Sequence, residues 1–362
     1  MSLSRPSSKP PRTTAAPGTP WGRAASLPRA TVALLLTAVA LTAAACGGAS
    51  GAPSSSGSTG ATTTSTAGPA PAKAAPAVTR LRVLTTRRLP APVQLPALAA
   101  LSDGTVLGVG GLDAADTSVS DVVRLAPGTP KVVGHLPQAA HDLGAAALGT
   151  KAYTFGGGTA SGPIPTIAAV SAGGAVTSAG RLPAAMSDTS AVTIGNTAYV
   201  IGGYTTTTPL RSILAYRPGR PVRDVATLPH ALRYAAVAAV GRRILIAGGT
   251  DGVHARREVL SVDPATHRVR IIAHLPAPLG HAAGAALNGT FFVLGGRTDS
   301  LTGQRATIWA VTPATGRLRR AGSLPVGVSD AGAVTAGGHI LVAGGRDAGG
   351  HVHDELWTLG AA

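Results

Sequence analysis

The chain is poor in the residues that usually announce chemistry. One cysteine, Cys46, occurs in 362 residues, so no disulfide can close within the chain. Oxidising surroundings are therefore tolerated rather than exploited. Aromatic residues make up 3% of the sequence, which leaves small apolar side chains to fill any core. The sequence has no phosphate-cradling glycine loop, no G-x-S-x-G elbow and no H-E-x-x-H pair. Acidic residues number 15 against 31 Lys and Arg, yet no basic cluster is interleaved with stacking aromatics, which argues against nucleic acid as a partner. The apolar run Thr31–Ala45 falls short of the about 20 residues a membrane-spanning helix needs.

What the chain has in abundance is repetition. A segment of about 46 residues recurs six times, and a fixed period in this range signals a repeat architecture. Each copy opens on Leu-Pro: Leu89-Pro90, Leu136-Pro137, Leu182-Pro183, Leu228-Pro229, Leu275-Pro276 and Leu324-Pro325. Glycine pairs follow in step: Gly110-Gly111, Gly156-Gly157, Gly202-Gly203, Gly248-Gly249, Gly295-Gly296 and Gly344-Gly345.

The fourth copy shows what one unit builds. Four apolar runs, Ala235–Val240, Ile244–Ala247, Val259–Val262 and Val269–Ala273, are separated by Gly241-Arg242-Arg243, a polar stretch and Asp263-Pro264-Ala265-Thr266. Short β-branched runs bounded by turn formers read as strands, and four strands per unit make the blade of a β-propeller. Ser102-Asp103-Gly104, Gly195-Asn196, Asn288-Gly289 and Gly337-Gly338 supply the positive φ of tight hairpins between first and second strands. The glycine pairs end the second strand, where they permit tight backbone packing or a bulge.

The last copy ends soon after its third strand, Glu355–Leu359, and lacks a fourth. Thr79–Leu84 matches fourth strands such as His267–Ile272, so the N-terminal strand is expected to complete the last blade and remove an open edge. The expected fold is all-β, a six-bladed β-propeller over residues 79–362.

Gly-Gly after the second strand, an apolar third strand, then Asp-Pro-x-Thr and a fourth strand resemble the kelch repeat. Ile244–Gly249 followed by Leu260–Thr266 carries this most clearly, and the resemblance runs from about Thr79 to the C-terminus. It departs from the family in lacking an aromatic residue on most fourth strands. The resemblance implies that the loops leading into each first strand and those joining second to third strands emerge on one face. Copper-radical oxidases that share the kelch fold need a Cys crosslinked to Tyr, which Cys46, outside the repeats, cannot supply. Some bacterial six-bladed kelch proteins are sialic-acid mutarotases, which need only acid–base residues and an anion clamp.

The N-terminal residues read as an export address. Arg5, Lys9, Arg12, Arg23 and Arg29, with no acidic residue among them, precede the apolar run Thr31–Ala45. Ala43, Ala44 and Ala45, then Cys46 and Gly47-Gly48, resemble the lipobox of bacterial lipoproteins, although Ala43 stands where that motif usually has Leu. The resemblance implies cleavage of residues 1–45, lipidation of Cys46 and anchorage on the outer face of the cytoplasmic membrane. Residues 46–78 are almost wholly Ser, Thr, Gly, Ala and Pro, a composition that cannot bury a core and reads as a flexible tether. Five of the formal +16 charges lie in the signal, and the +11 that remain suit anionic polymers of the cell envelope.

Candidate site residues sit at two constant offsets. Five or six residues after each Leu-Pro come His141-Asp142, Ser187-Asp188, Arg233-Tyr234, His281 and Ser329-Asp330. Just after each Gly-Gly come Asp113, Thr159, Tyr204, Asp251, Arg297 with Asp299, and Arg346 with Asp347. These would form two concentric circles near the channel mouth, variable residues on a constant scaffold, as loops that carry function do. Arg233, Arg297 and Arg346 suit bidentate capture of a carboxylate or phosphate. His141 or His281 with Asp142, Asp188 or Asp330 suits proton transfer. His351 and His353 alternate on a strand, but the sequence fixes no third ligand, so a loop histidine pair is expected rather than a metal site. The first expectation is a monomeric, non-catalytic binding scaffold for a protein or anionic glycan of the envelope. It needs no cofactor and no metal. The second is a cofactor-free sugar mutarotase or epimerase of the sialic-acid type. Replacing Cys46→Ser is expected to move the protein from the membrane pellet to the soluble fraction. A variant that stayed in the pellet would indicate a signal anchor or peripheral attachment.

Overall fold

Each repeat folds as one antiparallel sheet because its four apolar runs are too short to bury anything alone and the turns between them are tight. The computed structural model describes residues 80–362, where every regular element is a β-strand. The expected signal, Cys46 and tether lie outside the described residues. In blade 4 the strands are Ala236–Val240, Arg243–Ala247, Glu258–Asp263 and Arg268–His274, each hydrogen-bonded to the next. Six such sheets stand around a central channel, making the protein a six-bladed β-propeller. The innermost strands, Ala97–Ala100, Gly144–Leu148, Ser190–Ile194, Ala236–Val240, Ala283–Leu287 and Gly332–Ala336, line the channel. They are rich in Ala and Gly because strands converge at the axis.

The scarcity of aromatics is met by six small cores, one between each pair of neighbouring blades. Phe155, Phe291 and Phe292, all fully buried, fill three of them with Leu, Ile, Val and Ala. The core that joins blade 6 to blade 1 groups Leu341, Ala343 and Leu356 with Leu98, Val106 and Leu125. The ring is therefore continuous, each blade packing only on its neighbours.

The outermost strand of blade 6 comes from the N-terminal side. Leu81–Arg88 pairs antiparallel with Glu355–Ala361, Leu81 opposite Ala361 and Arg88 opposite Glu355. It runs four residues past the matched pattern that ends at Leu84, because residues 85–88 find partners in Glu355–Thr358 of the last strand. Arg88 forms ion pairs with Asp354 and Glu355 at the end of this ladder. Blade 2 departs from the repeat pattern: Leu182-Pro183 lies inside its outer strand, Val176–Met186, rather than after it. Pro183 is tolerated there because an edge strand has a side with no ladder to donate to, and the register breaks between Arg181 and Met186.

The glycine pairs are the joints between blades. The second glycine of each donates its N–H to a carbonyl of the next blade: Gly111 to Ala140, Gly157 to Met186, Gly203 to Leu232, Gly249 to Leu279, Gly296 to Val328 and Gly345 to Val93, all at 2.8–2.9 Å. The first glycine has φ of 59–65° in every copy, and a Cβ there would collide with that same carbonyl oxygen. Glycine is required on both counts. Gly248→Ala is expected to destabilise the domain by more than ~2 kcal/mol in chemical denaturation, since strain and a lost inter-blade hydrogen bond combine. Gly241→Ala is the contrast: φ is 58° but nothing lies near the added Cβ, so only the left-handed penalty of about 1 kcal/mol remains. Equal losses at the two positions would dismiss the joint.

Candidate functional site

On one face, the loop leading into each innermost strand meets the loop after the Gly-Gly pair of the same blade. Six equivalent bridges record this: Gln94 with Leu112, His141 with Gly158, Ser187 with Tyr204, Arg233 with Thr250, Gly280 with Arg297, and Ser329 with Arg346. The residue after the first member of each bridge has a left-handed backbone: Leu95 (58°), Asp142 (54°), Asp188 (58°), Tyr234 (51°), His281 (57°) and Asp330 (62°). Such φ values are uncommon outside glycine. Here they recur once per blade, and all six residues line one cavity of about 150 Å³ at the channel mouth. The backbone ties them together across blades: the N–H of Asp188 donates to Asp142 O (3.0 Å), His281 to Tyr234 O (2.9 Å), Asp330 to His281 O (3.0 Å) and Leu95 to Asp330 O (2.6 Å). Leu95, the blade 1 member, escapes a search for polar residues. Its signal is positional, because Gln94-Leu95 occupies the place of His141-Asp142.

The ring is chemically asymmetric. Asp142 is buried, and its carboxyl is held well above the usual carboxylate range. Burial is the main cause, followed by the charges of Asp188 and Asp330 and a hydrogen bond with Asp188. The Tyr234 hydroxyl donates to Asp142 Oδ2 (3.1 Å), and burial beside Asp142 and Asp188 pushes that phenol up as well. Asp188 is ion-paired with Arg233, whose guanidinium lies over the Tyr204 ring at 4.2 Å and beside Tyr234 at 5.0 Å. Across the mouth, Arg297 Nη2 donates to His281 Nε2 (2.8 Å). Because arginine cannot accept, this geometry assigns the ring proton to His281 Nδ1, which donates to Asp330 Oδ1 (2.5 Å). Ser329 Oγ donates to the other oxygen of Asp330 (2.6 Å). Burial opposes ionisation of Asp330, yet His281, Ser329 and the Arg297 charge outweigh it and hold this carboxyl below the usual range. Two carboxyls of one cavity, Asp142 and Asp330, are thus displaced in opposite directions. The Tyr234 and His281 rings stack between them, centroids 4.0 Å apart.

A cleft of about 320 Å³ opens beside the mouth, between blades 4 and 5. Arg233 and Arg297 flank it, and Tyr234 and His281 line both it and the central cavity. Of the three arginines expected to clamp an anion, these two share a cleft. Arg346 instead reaches across to blade 1, where its Nη1 donates to Asp116 Oδ1 (2.8 Å), which also accepts from Gln94 (2.6 Å).

The outer circle expected after the glycine pairs is largely loop architecture. Asp251 Oδ1 accepts from the N–H groups of Val253 and His254, and its other oxygen pairs with Arg256 (2.5 Å). Asp347 Oδ1 accepts from Gly349 and His351, and Oδ2 lies 3.4 Å from His353. These bonds hold both carboxylates below their ordinary range against the opposing effect of burial, which is the largest influence on Asp347 and a smaller one on Asp251. Tyr204 donates to Thr206 O (3.0 Å) and offers its ring to Arg233. His141 bonds Ser118 Oγ through Nδ1 (2.8 Å) and lies 3.7 Å from Asp142 without a hydrogen bond; burial lowers its pKa. His353 bonds Glu355 (2.9 Å), and its ring meets that of His351 edge-on.

Below the ring the channel changes character. A second cavity of about 420 Å³ is lined mainly by Ala, Val and Leu of the innermost strands and ends at the opposite face near Ser102, Gly149 and Gly195. Its polar side chains are Ser102, Thr193 and Thr335, and the two threonines donate to Ala147 O (2.6 Å) and Ala286 O (2.6 Å).

The fold and the mouth define a six-bladed propeller with a polar ring at one end of its channel. No protein-family model matches the chain, and no curated protein is similar to it. Among the many solved structures that resemble it, one described as "Structure of YjhT" superimposes with a TM-score of 0.64 at 15% identity. That match covers 75% of this chain and 95% of the other, so the likeness is one of fold.

The opposed carboxyls give opposite pH dependences. Asp142, raised in the folded state, contributes stability present below the ordinary carboxylate value of about 4 and lost as pH rises through its folded value. Asp330, lowered, contributes stability present above about 4 and lost as pH falls through its folded value. Asp142→Asn is expected to raise stability relative to wild type near neutral pH and to narrow that gain in acid. Asp330→Asn is expected to lose stability near neutral pH and to match wild type more closely in acid. Denaturation midpoints measured from pH 3 to 8 for both variants check this, and parallel profiles would refute it.

Proposed function

We propose that this protein is a surface-anchored, kelch-type propeller that binds a protein or an anionic glycan of the cell envelope through its loop-bearing face, without catalysis. The observation that carries the reading is the cleft between blades 4 and 5. It sets Arg233 and Arg297 on one wall-to-wall path into the polar mouth. Guanidinium groups are suited to carboxylate or phosphate, and the Tyr234–His281 stack offers a flat apolar surface beside them. In the loops that follow the Gly-Gly pairs of blades 4 and 5, Val253, which lines the cleft, and Leu301 are 74% and 76% exposed. Isolated exposed residues are ordinary, but this pair occupies corresponding loops of adjacent blades. The anchored placement rests on the basic, apolar and Cys46 sequence of the N-terminal residues.

One feature favours a second reading, a cofactor-free sugar mutarotase or epimerase of the sialic-acid type. Asp142 favours its protonated form while the His281–Asp330 pair presents Nε2 as an acceptor, so a proton donor and a proton acceptor face one cavity. Paired groups displaced in opposite directions are the arrangement acid–base chemistry uses. An anion that drew Arg297 away would free His281 Nε2.

Purified full-length protein and its Arg233→Ala/Arg297→Ala variant, both checked for a cooperative melting transition, would be exposed to envelope extract. Retention of a protein or glycan by the wild type alone is the expected result; equal retention by a folded variant would remove the cleft from the proposal. Anomeric exchange of a sialic-acid-type sugar, followed by NMR, separates the two readings. Acceleration abolished by His281→Ala would establish the enzyme instead of the scaffold.

A further inference from the structure

The face opposite the loops carries a groove that the binding reading does not use. It has a volume of about 700 Å³ and runs between blades 3 and 4. Its walls come from the hairpins that join first to second and third to fourth strands, including Thr197, Arg217–Arg223 and Pro264–His267. Four arginines line it: Arg217, Arg220 and Arg223 from the hairpin of blade 3, and Arg242 from blade 4. A single carboxylate, Asp224, stands among them. The nearby Arg243 is accounted for by Asp263 at 3.5 Å.

The hairpin that presents three of these arginines is stiff. Between Tyr216 and Arg223 the chain reads Arg-Pro-Gly-Arg-Pro-Val, with Gly219 at φ 72° and the Arg220 N–H donating to Arg217 O (3.0 Å). Two prolines restrict the backbone on either side of that turn. Val222 packs against the core between blades 2 and 3 and fixes the returning limb. Arg217 Nε is held by Thr197 Oγ1 at 2.6 Å, and both residues line the groove. Charge on a pre-ordered loop loses little entropy when a ligand binds.

We propose that this groove binds an extended polyanion through repeated phosphate or carboxylate groups. Three features select this occupant. Four guanidinium groups against one carboxylate leave the lining strongly positive. The volume exceeds what a single small anion would fill. Tyr199 and His267 are its aromatic side chains, and Tyr199 is half-buried against the core between blades 3 and 4, so arginines rather than a row of rings dominate the lining. A recessed groove also suits a chain better than the flat surface of a bilayer.

The test uses full-length protein in mild detergent, titrated with long-chain inorganic polyphosphate and, separately, with polygalacturonate. Binding to at least one is expected, and the two arms tell phosphate from carboxylate. Arg220→Gln/Arg242→Gln, which alters exposed positions outside the cores, is expected to weaken that binding roughly tenfold or more, since hydrogen bonds to charged groups are among the strong ones. Arg80→Gln/Arg82→Gln on blade 6 removes the same charge on the far side of the ring and is expected to change binding less than about twofold, as screening confines charge effects to roughly 8–10 Å. Equal losses from the two variants would reduce the effect to net charge and overturn the groove. Binding to neither polymer, or to anionic phosphatidylglycerol vesicles alone, would overturn it as well.

Discussion

The joint between blades rests on a single carbonyl oxygen used twice. In each repeat the oxygen of Val93, Ala140, Met186, Leu232, Leu279 or Val328 accepts the N–H of the preceding blade's second glycine, and it does so through space that only a first glycine leaves empty. A buried carbonyl without a partner would be expensive, and one approached by a Cβ would be pushed away. The glycine pairs therefore set how closely neighbouring blades approach. The six inter-blade cores, made chiefly of Leu, Val, Ile and Ala, fill the gap this spacing defines. A fold with so few aromatic residues depends on that spacing. Small side chains reach across a narrow interface and would leave voids in a wider one.

The functional face follows from the same three-residue step. The joint carbonyl belongs to the first residue, the bridge to the Gly-Gly loop to the second, and the left-handed backbone that turns a side chain into the channel to the third. Leu232-Arg233-Tyr234 and Val328-Ser329-Asp330 are two instances. The first two roles use backbone atoms and place no demand on side chains, and the left-handed third position accepts Leu, Asp, Tyr and His alike. The second and third positions vary from Gln to Arg and from Leu to Asp while the geometry stays constant. A polar ring of mixed chemistry is what such a frame permits.

This also explains which parts were legible in the sequence. The blades were, since Leu-Pro, Gly-Gly and the hairpin residues are local signals repeated six times. So were five of the six ring positions, because they share one offset. The pairings were not. His281 meets Asp330 from the next blade, and Arg346 meets Asp116 from blade 1, across a closure that no spacing encodes. Asp251 and Asp347 show the converse difficulty. An aspartate two residues past Gly-Gly reads alike whether it faces a ligand or accepts N–H groups of its own loop, and here both do the latter. Blade 2 hid its outer strand because Pro183 signals a break that an edge strand can absorb.

The two faces differ in how they treat arginine, although the repeat builds both. On the loop face, charge is consumed locally: Arg233 by Asp188, Arg256 by Asp251, Arg346 by Asp116, while Arg297 spends a donor on His281. A ligand there competes with existing partners, which favours selectivity for a group that can replace a carboxylate or an imidazole at a defined distance. On the turn face between blades 3 and 4, four arginines share a groove with one carboxylate. A ligand there displaces mostly water and counterions, which favours strength that falls with salt over discrimination of shape. Loop-face partners sit beside joints and bridges that every blade must keep, whereas the hairpin arginines of this groove take no part in the glycine joints. The excess positive charge can therefore collect on the tips without disturbing the ring.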